Sequence, residues 1–164
     1  MDTNSVAIVP PLWTPGLPGV YEVEISNVGA ERAAAQYPIK SFVDAGADVV
    51  FHSDYPISPL FSAPTSVYAA VNRGLPNPES AVGEVMESTV RGSDEALDRK
   101  QALLAMTKNV AYMLHQEDKM GSLSIGKFAN MAILDTDLLN DECGKLLTAQ
   151  VVATVVDGEI VYQA

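Results

Sequence analysis

The feature that most constrains this chain is a short β-branched run with a polar exit. Ala47 to His52 reads Ala-Asp-Val-Val-Phe-His, is entered through Gly46, and leaves directly into Ser53-Asp54-Tyr55-Pro56. The run is strand-like by composition and length. Helical content precedes it over Glu31–Ala45, where Ala33 to Ala35, Phe42 and Val43 supply the apolar positions and Gly46 supplies the stop. Helix, glycine, strand and polar loop in that order describe one α/β unit of a parallel sheet. Pro38 sits inside the helical stretch and either kinks it or starts a second helix. Upstream, Val6 to Val9 reads as a buried strand ended by Pro10-Pro11-Leu12-Trp13, and residues 14–19 form a loop by their turn chemistry.

Past the polar exit, Ala63–Asn72 reads as a helix closed by Arg73-Gly74. Residues 74–92 are rich in Pro, Gly, Ser and Glu and read as a surface loop, with a helical turn around Val82 to Met86. Ser93 is the expected N-cap of a long helix, with Asp94 and Glu95 suited to its dipole. Leu97, Leu103, Leu104, Val110 and Ala111 mark its apolar face as far as Leu114. After Gly121 the pattern turns to β: residues 129–134 and 149–156 are strand-like. Asp157-Gly158, set between two apolar runs, is a two-residue hairpin signal. The change of pattern divides the chain into residues 1–118, α/β in character, and residues 119–164, which are β.

A chain of 164 residues suits one domain, or one with a small appendage. At 48% hydrophobic and 19% charged it has the apolar content for a core and is no disordered segment. No apolar run approaches the roughly 20 residues of a membrane helix. The first residues lack the basic start and apolar stretch of a signal peptide, so the expected location is cytoplasmic. The net charge of −11 is spread along the chain and disfavours nucleic acids and anionic membranes as partners. A single cysteine, Cys143, rules out an intrachain disulfide and a Cys-cluster metal site, and reads as a structural thiol.

Reactive groups in α/β barrels and open parallel sheets cluster at the carboxyl ends of strands, which is where Ser53-Asp54 lies. Asp54 could ligate a metal and take a proton from an attacking water, or it could simply cap its loop by bonding its own backbone. Strand alternation would put His52 and Asp54 on one face, as two ligands of one metal; alternatively His52 is a hydrogen-bonded core residue. His115 reads as a dipole partner at a helix end. Two histidines in all cannot complete a His-rich site. Ser53 lacks the glycines of a nucleophile elbow, and no phosphate-binding loop or dinucleotide fingerprint is present.

Taken in order, several segments resemble the metal-dependent amidohydrolases, specifically amidohydrolase family 3. These are Glu31-Arg32-Ala33 with Tyr37–Gly46, Phe51–Pro56, Gly121–Asn130, Leu134–Leu138, and the hairpin Val155–Tyr162. The resemblance implies a (β/α)8 barrel with an appended small β-sandwich. This chain would supply the last strand-helix units of the barrel and the C-terminal strands of the sandwich. It further implies hydrolysis of C–N bonds other than peptide bonds, in a small-molecule substrate, at one or two divalent metals, zinc foremost. Asp54 would then be the metal-binding aspartate that handles the proton of the attacking water. Tyr55 and Pro56 would border the substrate, with the loop continuing to Leu60.

The departures shape the functional expectation. The family's His-x-His strand and middle-strand ligands are absent from this sequence, His52 stands where the family has a small residue, and Asn130 stands where it has aspartate. One good ligand, with His52 as a second, falls short of the three protein ligands of a catalytic zinc. The expected behaviour is therefore no substantial turnover by the chain alone, which need hold no metal by itself. The alternative is a non-catalytic assembly module. Open sheet edges would make it a homo-oligomer or the complement of a separate N-terminal half. Asn130 is expected to affect turn bonding and not chemistry.

Overall fold

The structure, a computed structural model, describes residues 5–57 and 62–164. Strands β1 (Val6–Val9) and β2 (Asp48–Phe51) pair in parallel, with Val9 opposite Phe51. Both therefore deliver their carboxyl ends to the same edge. Val9, Val49 and Val50 are buried, and Ile39, Leu97 and Ala105 close over Val9 and Val49. Asn109 Nδ2 donates to the Val49 carbonyl at 2.9 Å, tying the last helix of this layer to the strand.

The connection from β1 to β2 holds three helices, α1 (Val20–Val28), α2 (Ala30–Ala34) and α3 (Ile39–Asp44). The stretch Glu31–Ala45 is thus two helices and not one, with Pro38 at the N-cap of the second and Tyr37 before it at φ 58°. Proline's missing N–H costs nothing there, so the residue that would break one helix begins another. Gly46 ends α3 at φ +82°, a conformation glycine adopts without strain. Helix α1 has no counterpart in the sequence reading. Its start is held by the Gly19 N–H donating to the Glu22 carboxylate.

Helix α4 (Ala63–Asn72) has Ser62 as N-cap, its hydroxyl accepting from the Thr65 N–H at 3.1 Å, and its flank from Pro64 to Ala70 is largely buried. The expected long helix from Ser93 is replaced by a 3-10 turn, Ser93–Glu95, and two helices, α5 (Arg99–Met106) and α6 (Lys108–Met113). The true cap is Asp98, which accepts from Gln101 N while Gln101 Oε1 accepts from Asp98 N. That reciprocal pair satisfies two otherwise orphaned donors, which Ser93 does not do. Thr107, at φ −128° and ψ −87°, separates α5 from α6. In the 74–92 segment the short turn falls at Glu87–Thr89, and a single bridge joins Pro76 to Val85.

Strands β3 (Met131–Leu134), β4 (Val151–Val156) and β5 (Glu159–Gln163) form an antiparallel sheet of order β3-β4-β5. Asp157 (φ 52°) and Gly158 (φ 85°) make the hairpin turn. Asn130 Oδ1 accepts the Asp157 N–H at 2.7 Å, so its part here is turn bonding. Between β3 and β4 the chain returns to α4, where Leu146 is buried with Val67, Tyr68, Ala70 and Ala102. Ile160 and Tyr162 on one side of β5 and Val161 on the other are all exposed. None of the described helices is long and apolar enough to cross a membrane.

Candidate functional site

β2 ends at Phe51, and the last contact between the two strands is the His52 N–H donating to the Val9 carbonyl at 3.1 Å. Beyond it the backbone turns. Asp54 sits at φ 57°, a left-handed conformation that aspartate tolerates better than most residues. Its carbonyl accepts the Ile57 N–H at 2.8 Å, closing a four-residue turn around the cis Tyr55–Pro56 bond. The Ser53 hydroxyl accepts the Tyr55 N–H at 3.3 Å, which commits it to the turn. The backbone carbonyl of Asp54, not its carboxylate, therefore closes the loop. The residue is exposed, and among the described residues its carboxylate has no hydrogen-bond or ion-pair partner. Its charge is felt at the Tyr37 phenol, which is held above its ordinary value by burial first, then by Glu24, with Asp54 a lesser contributor.

The alternation argument for His52 stops where the strand stops, at Phe51. His52 lines a cavity of 180 Å³ with Ser53, Ser62 and Ser66, and Asp54 is not among its walls. No group of three or more His, Cys, Asp or Glu side chains placed to hold a metal occurs among the described residues. A catalytic zinc takes three protein ligands and a water. Asp54 and His52 are at most two, so the donors present do not make a complete metal site. Tyr55 is 68% exposed and Pro56 is exposed beside it, on the outer side of the turn. Of the loop expected to border a substrate, residues 58–60 lie outside the described residues. His115 follows α6 in a left-handed conformation, its N–H donating to Tyr112 at 2.9 Å. Cys143 is half-buried and its Sγ accepts from Asn72 Nδ2 at 3.1 Å, a packed thiol.

Three residues near this edge carry no flag in the sequence. Trp13 closes the 3-10 turn Pro11–Trp13 directly after β1, and its indole Nε1 is shielded from solvent without a hydrogen-bond partner among the described residues. Leaving a buried donor unmet costs about 1–3 kcal/mol. Arg91 is 3% exposed, donates from Nη2 to the Trp13 carbonyl at 2.6 Å and from Nε to the Thr14 carbonyl at 3.0 Å, and pairs with Glu24. Its guanidinium lies against the rings of Tyr21 and Tyr37 at 4.9 and 5.1 Å. Arg73, at the left-handed end of α4, donates to the carbonyls of Arg91, Tyr37 and Gln36. Burial, with Arg91 nearby, lowers its pKa to about 10, which still leaves it protonated at neutral pH. A buried arginine has no periodic signature, so position and composition alone assign both to the surface.

Comparison with known proteins shows which family the chain resembles. The amidohydrolase family model matches residues 12–162. An N-substituted formamide deformylase from Arthrobacter pascens is 33% identical over 127 residues, covering 77% of this chain and 21% of that protein. An uncharacterized metal-dependent hydrolase from Pyrococcus furiosus superposes with a TM-score of 0.53 at 25% identity, over 76% of this chain and 22% of that one. The guanine deaminase of E. coli gives a TM-score of 0.57 over 99% of this chain and 34% of that one; at 15% identity this is a likeness of fold. The chain spans about a fifth of the length of the curated relatives it matches, 21% and 22%. With a match running from Leu12 to Tyr162, this chain belongs to the amidohydrolase family.

Proposed function

We propose that this chain is the part of a metal-dependent amidohydrolase that carries its last barrel strands, β1 and β2, and that Asp54 is its catalytic carboxylate. The reaction is hydrolysis of a C–N bond other than a peptide bond in a small molecule. Asp54 serves as proton acceptor for the attacking water and as one ligand of a divalent metal, zinc foremost. One observation carries the reading: in a member of this family, a carboxylate with no partner among the described residues stands at the carboxyl end of a parallel strand, on a turn closed by other groups. Tyr55 and Pro56 flank the substrate, and His52 is the second donor. Residues 1–118 form the barrel segment and 119–164 the sandwich segment, and the protein works in the cytoplasm.

The chain alone is inactive in this reading, because two donors do not hold a catalytic metal. Purified chain is expected to bind zinc weakly in a calorimetric titration, with affinity falling at least tenfold in Asp54→Asn. It is expected to show no turnover of N-substituted formamides. Unchanged zinc affinity in Asp54→Asn would remove Asp54 from the role. Robust metal-dependent turnover, abolished by Asp54→Ala, would overturn the inactivity.

A specific observation favours a companion reading as an assembly module. Both sides of β5 expose apolar residues, with Ile160 63%, Val161 61% and Tyr162 50% exposed. Such a surface calls for cover by a second copy or by further family sequence. Light scattering is expected to show association; a stable, folded monomer at micromolar concentration would contradict it.

A further inference from the structure

The 180 Å³ cavity walled by His52, Ser53, Ser62 and Ser66 lies between the carboxyl end of β2 and the start of α4. Ligands of parallel sheets bind at that edge. Ala63 adds to its α4 wall, Met106 and Val110 make its apolar side, and no Asp, Glu, Lys or Arg lines it among the described residues. Ser62, Ala63 and Ser66 are one and four positions apart, so they share one face of α4, and that face is the cavity wall. Two of the hydroxyls are spent on local structure. Ser53 accepts the Tyr55 N–H at 3.3 Å; Ser62 accepts the Thr65 N–H at 3.1 Å and shares a 2.6 Å bond with the Thr65 hydroxyl. Ser66 is different. It is 8% exposed, and its hydroxyl has no hydrogen-bond partner among the described residues. Nor is that hydroxyl sealed off: the unpartnered buried side-chain atoms without surface, among the described residues, are the Trp13 indole nitrogen and a Glu117 oxygen. The surface left to Ser66 opens on the cavity that it lines.

The start of α4 gives the cavity a sign. A helix of 10 residues carries roughly half a positive charge at its N-terminus. In its first turn Pro64 has no N–H, and the Thr65 N–H is taken by Ser62, so the Ala63 N–H is the one left open among the described residues. Open N–H groups at a helix start favour an anion, and no acidic wall residue opposes one. With no lysine or arginine in the wall, a doubly charged ion would be poorly neutralised, whereas Met106 and Val110 suit a short hydrocarbon tail. We infer that this cavity binds a short-chain monocarboxylate, its oxygens accepting from the Ser66 hydroxyl and the Ala63 N–H and its alkyl part lying against Met106 and Val110. The site does not use Asp54 and stands apart from the reaction proposed above.

The full chain, labelled with 15N, is titrated with sodium propionate at constant ionic strength. Saturable shifts of the Ala63 and Ser66 amides are expected. Ser66→Ala, a change that a helix tolerates, is expected to weaken binding about tenfold or more, read at the Ala63 amide. Ala63 is exposed, so Ala63→Leu obstructs the cavity from outside the core and is expected to abolish the shift at Ser66 with far-UV circular dichroism unchanged. Propionamide, which has the shape without the charge, is expected to bind about tenfold more weakly or worse, and propylammonium and sulfate are expected not to saturate. No saturable shift at the two amides, equal affinity for propionamide, saturation by sulfate or propylammonium, or propionate affinity unchanged in either variant would overturn the assignment.

Discussion

Arg91 offers the sharpest test of how this edge is held. Its guanidinium supports the Trp13 and Thr14 carbonyls, pairs with Glu24 and lies against two tyrosine rings, all with 3% of the residue exposed. Arg91→Met keeps most of the aliphatic stem and removes every one of these interactions. Each hydrogen bond from a charged donor is worth about 1.5–3 kcal/mol, and each ring contact about 0.5–1 kcal/mol or more. The terms share one side chain and do not add. Removing one partner of a buried pair costs about 3–5 kcal/mol, which sets the expected total. Against a typical stability of about 5–15 kcal/mol this is a large fraction. For a chain of this size it corresponds to a fall in Tm of roughly 6–20 °C, at about 2–4 °C per kcal/mol. Urea unfolding followed by circular dichroism and by Trp13 emission measures it. Arg91→Lys should recover part of the loss, because one ammonium cannot serve two carbonyls and Glu24 in the same geometry. In a double-mutant cycle with Glu24→Gln the coupling should be about 1 kcal/mol or more. A cost below about 1 kcal/mol for Arg91→Met, with native Trp13 emission unchanged, would refute the network as a structural element.

Three further outcomes follow from single residues. Burial pushes the Tyr68 phenol up to about 12, with Cys143 adding to it, so the folded state favours the neutral form. That stability is complete below the unfolded value near 10 and is lost as pH rises toward 12, on the order of 2 kcal/mol, and Tyr68→Phe should flatten the alkaline limb of the urea-midpoint profile. Asp98→Ala removes a reciprocal cap and should cost about 1 kcal/mol by urea unfolding, whereas Ser93→Ala should be near neutral. Gly158→Ala meets no atom within 4 Å of the added carbon, so its expected cost, about 1–2 kcal/mol, is that of holding φ +85° in a residue with a Cβ.

The parts of the fold legible in the sequence are those where neighbours in the chain decide the conformation. β2 with its exit, the start and end of α4, and the Asp157-Gly158 hairpin are all of this kind. The long helix expected from Ser93 shows how the reading fails. Leu97 is buried at 3% exposure but packs on Val9, Ile39 and Val49 from outside the helix, so an apolar residue in phase with α5 does not belong to it. Ser93 followed by two acids resembles a cap as closely as Asp98 does, and what separates them is the return bond from Gln101. Helix α1 was invisible for the opposite reason. Val20 and Val23 are 41% and 56% exposed, so its apolar residues draw no one-sided stripe, and Glu24 ties it to a residue 67 positions away.

The same distinction runs through the candidate site. Asp54 could be found because the order of strand, turn and proline is local, whereas a 330 Å³ cavity beside it is assembled from segments as distant as Trp13, Ala69 and Leu147. Arg91 joins the two parts. It holds the Trp13 carbonyl at one end of its guanidinium and lies against Tyr37 at the other, and the Tyr37 phenol responds to the charge of Asp54. The cavity wall and the candidate carboxylate are thus linked through a single buried cation drawn from a segment whose composition marks it as surface loop. Taking one partner from a buried pair costs about 3–5 kcal/mol, so Arg91 and the groups it bonds hold one another in place. The bonds Arg91 makes at this edge therefore argue that the relative placement of Trp13 and the Asp54 turn is what that burial secures.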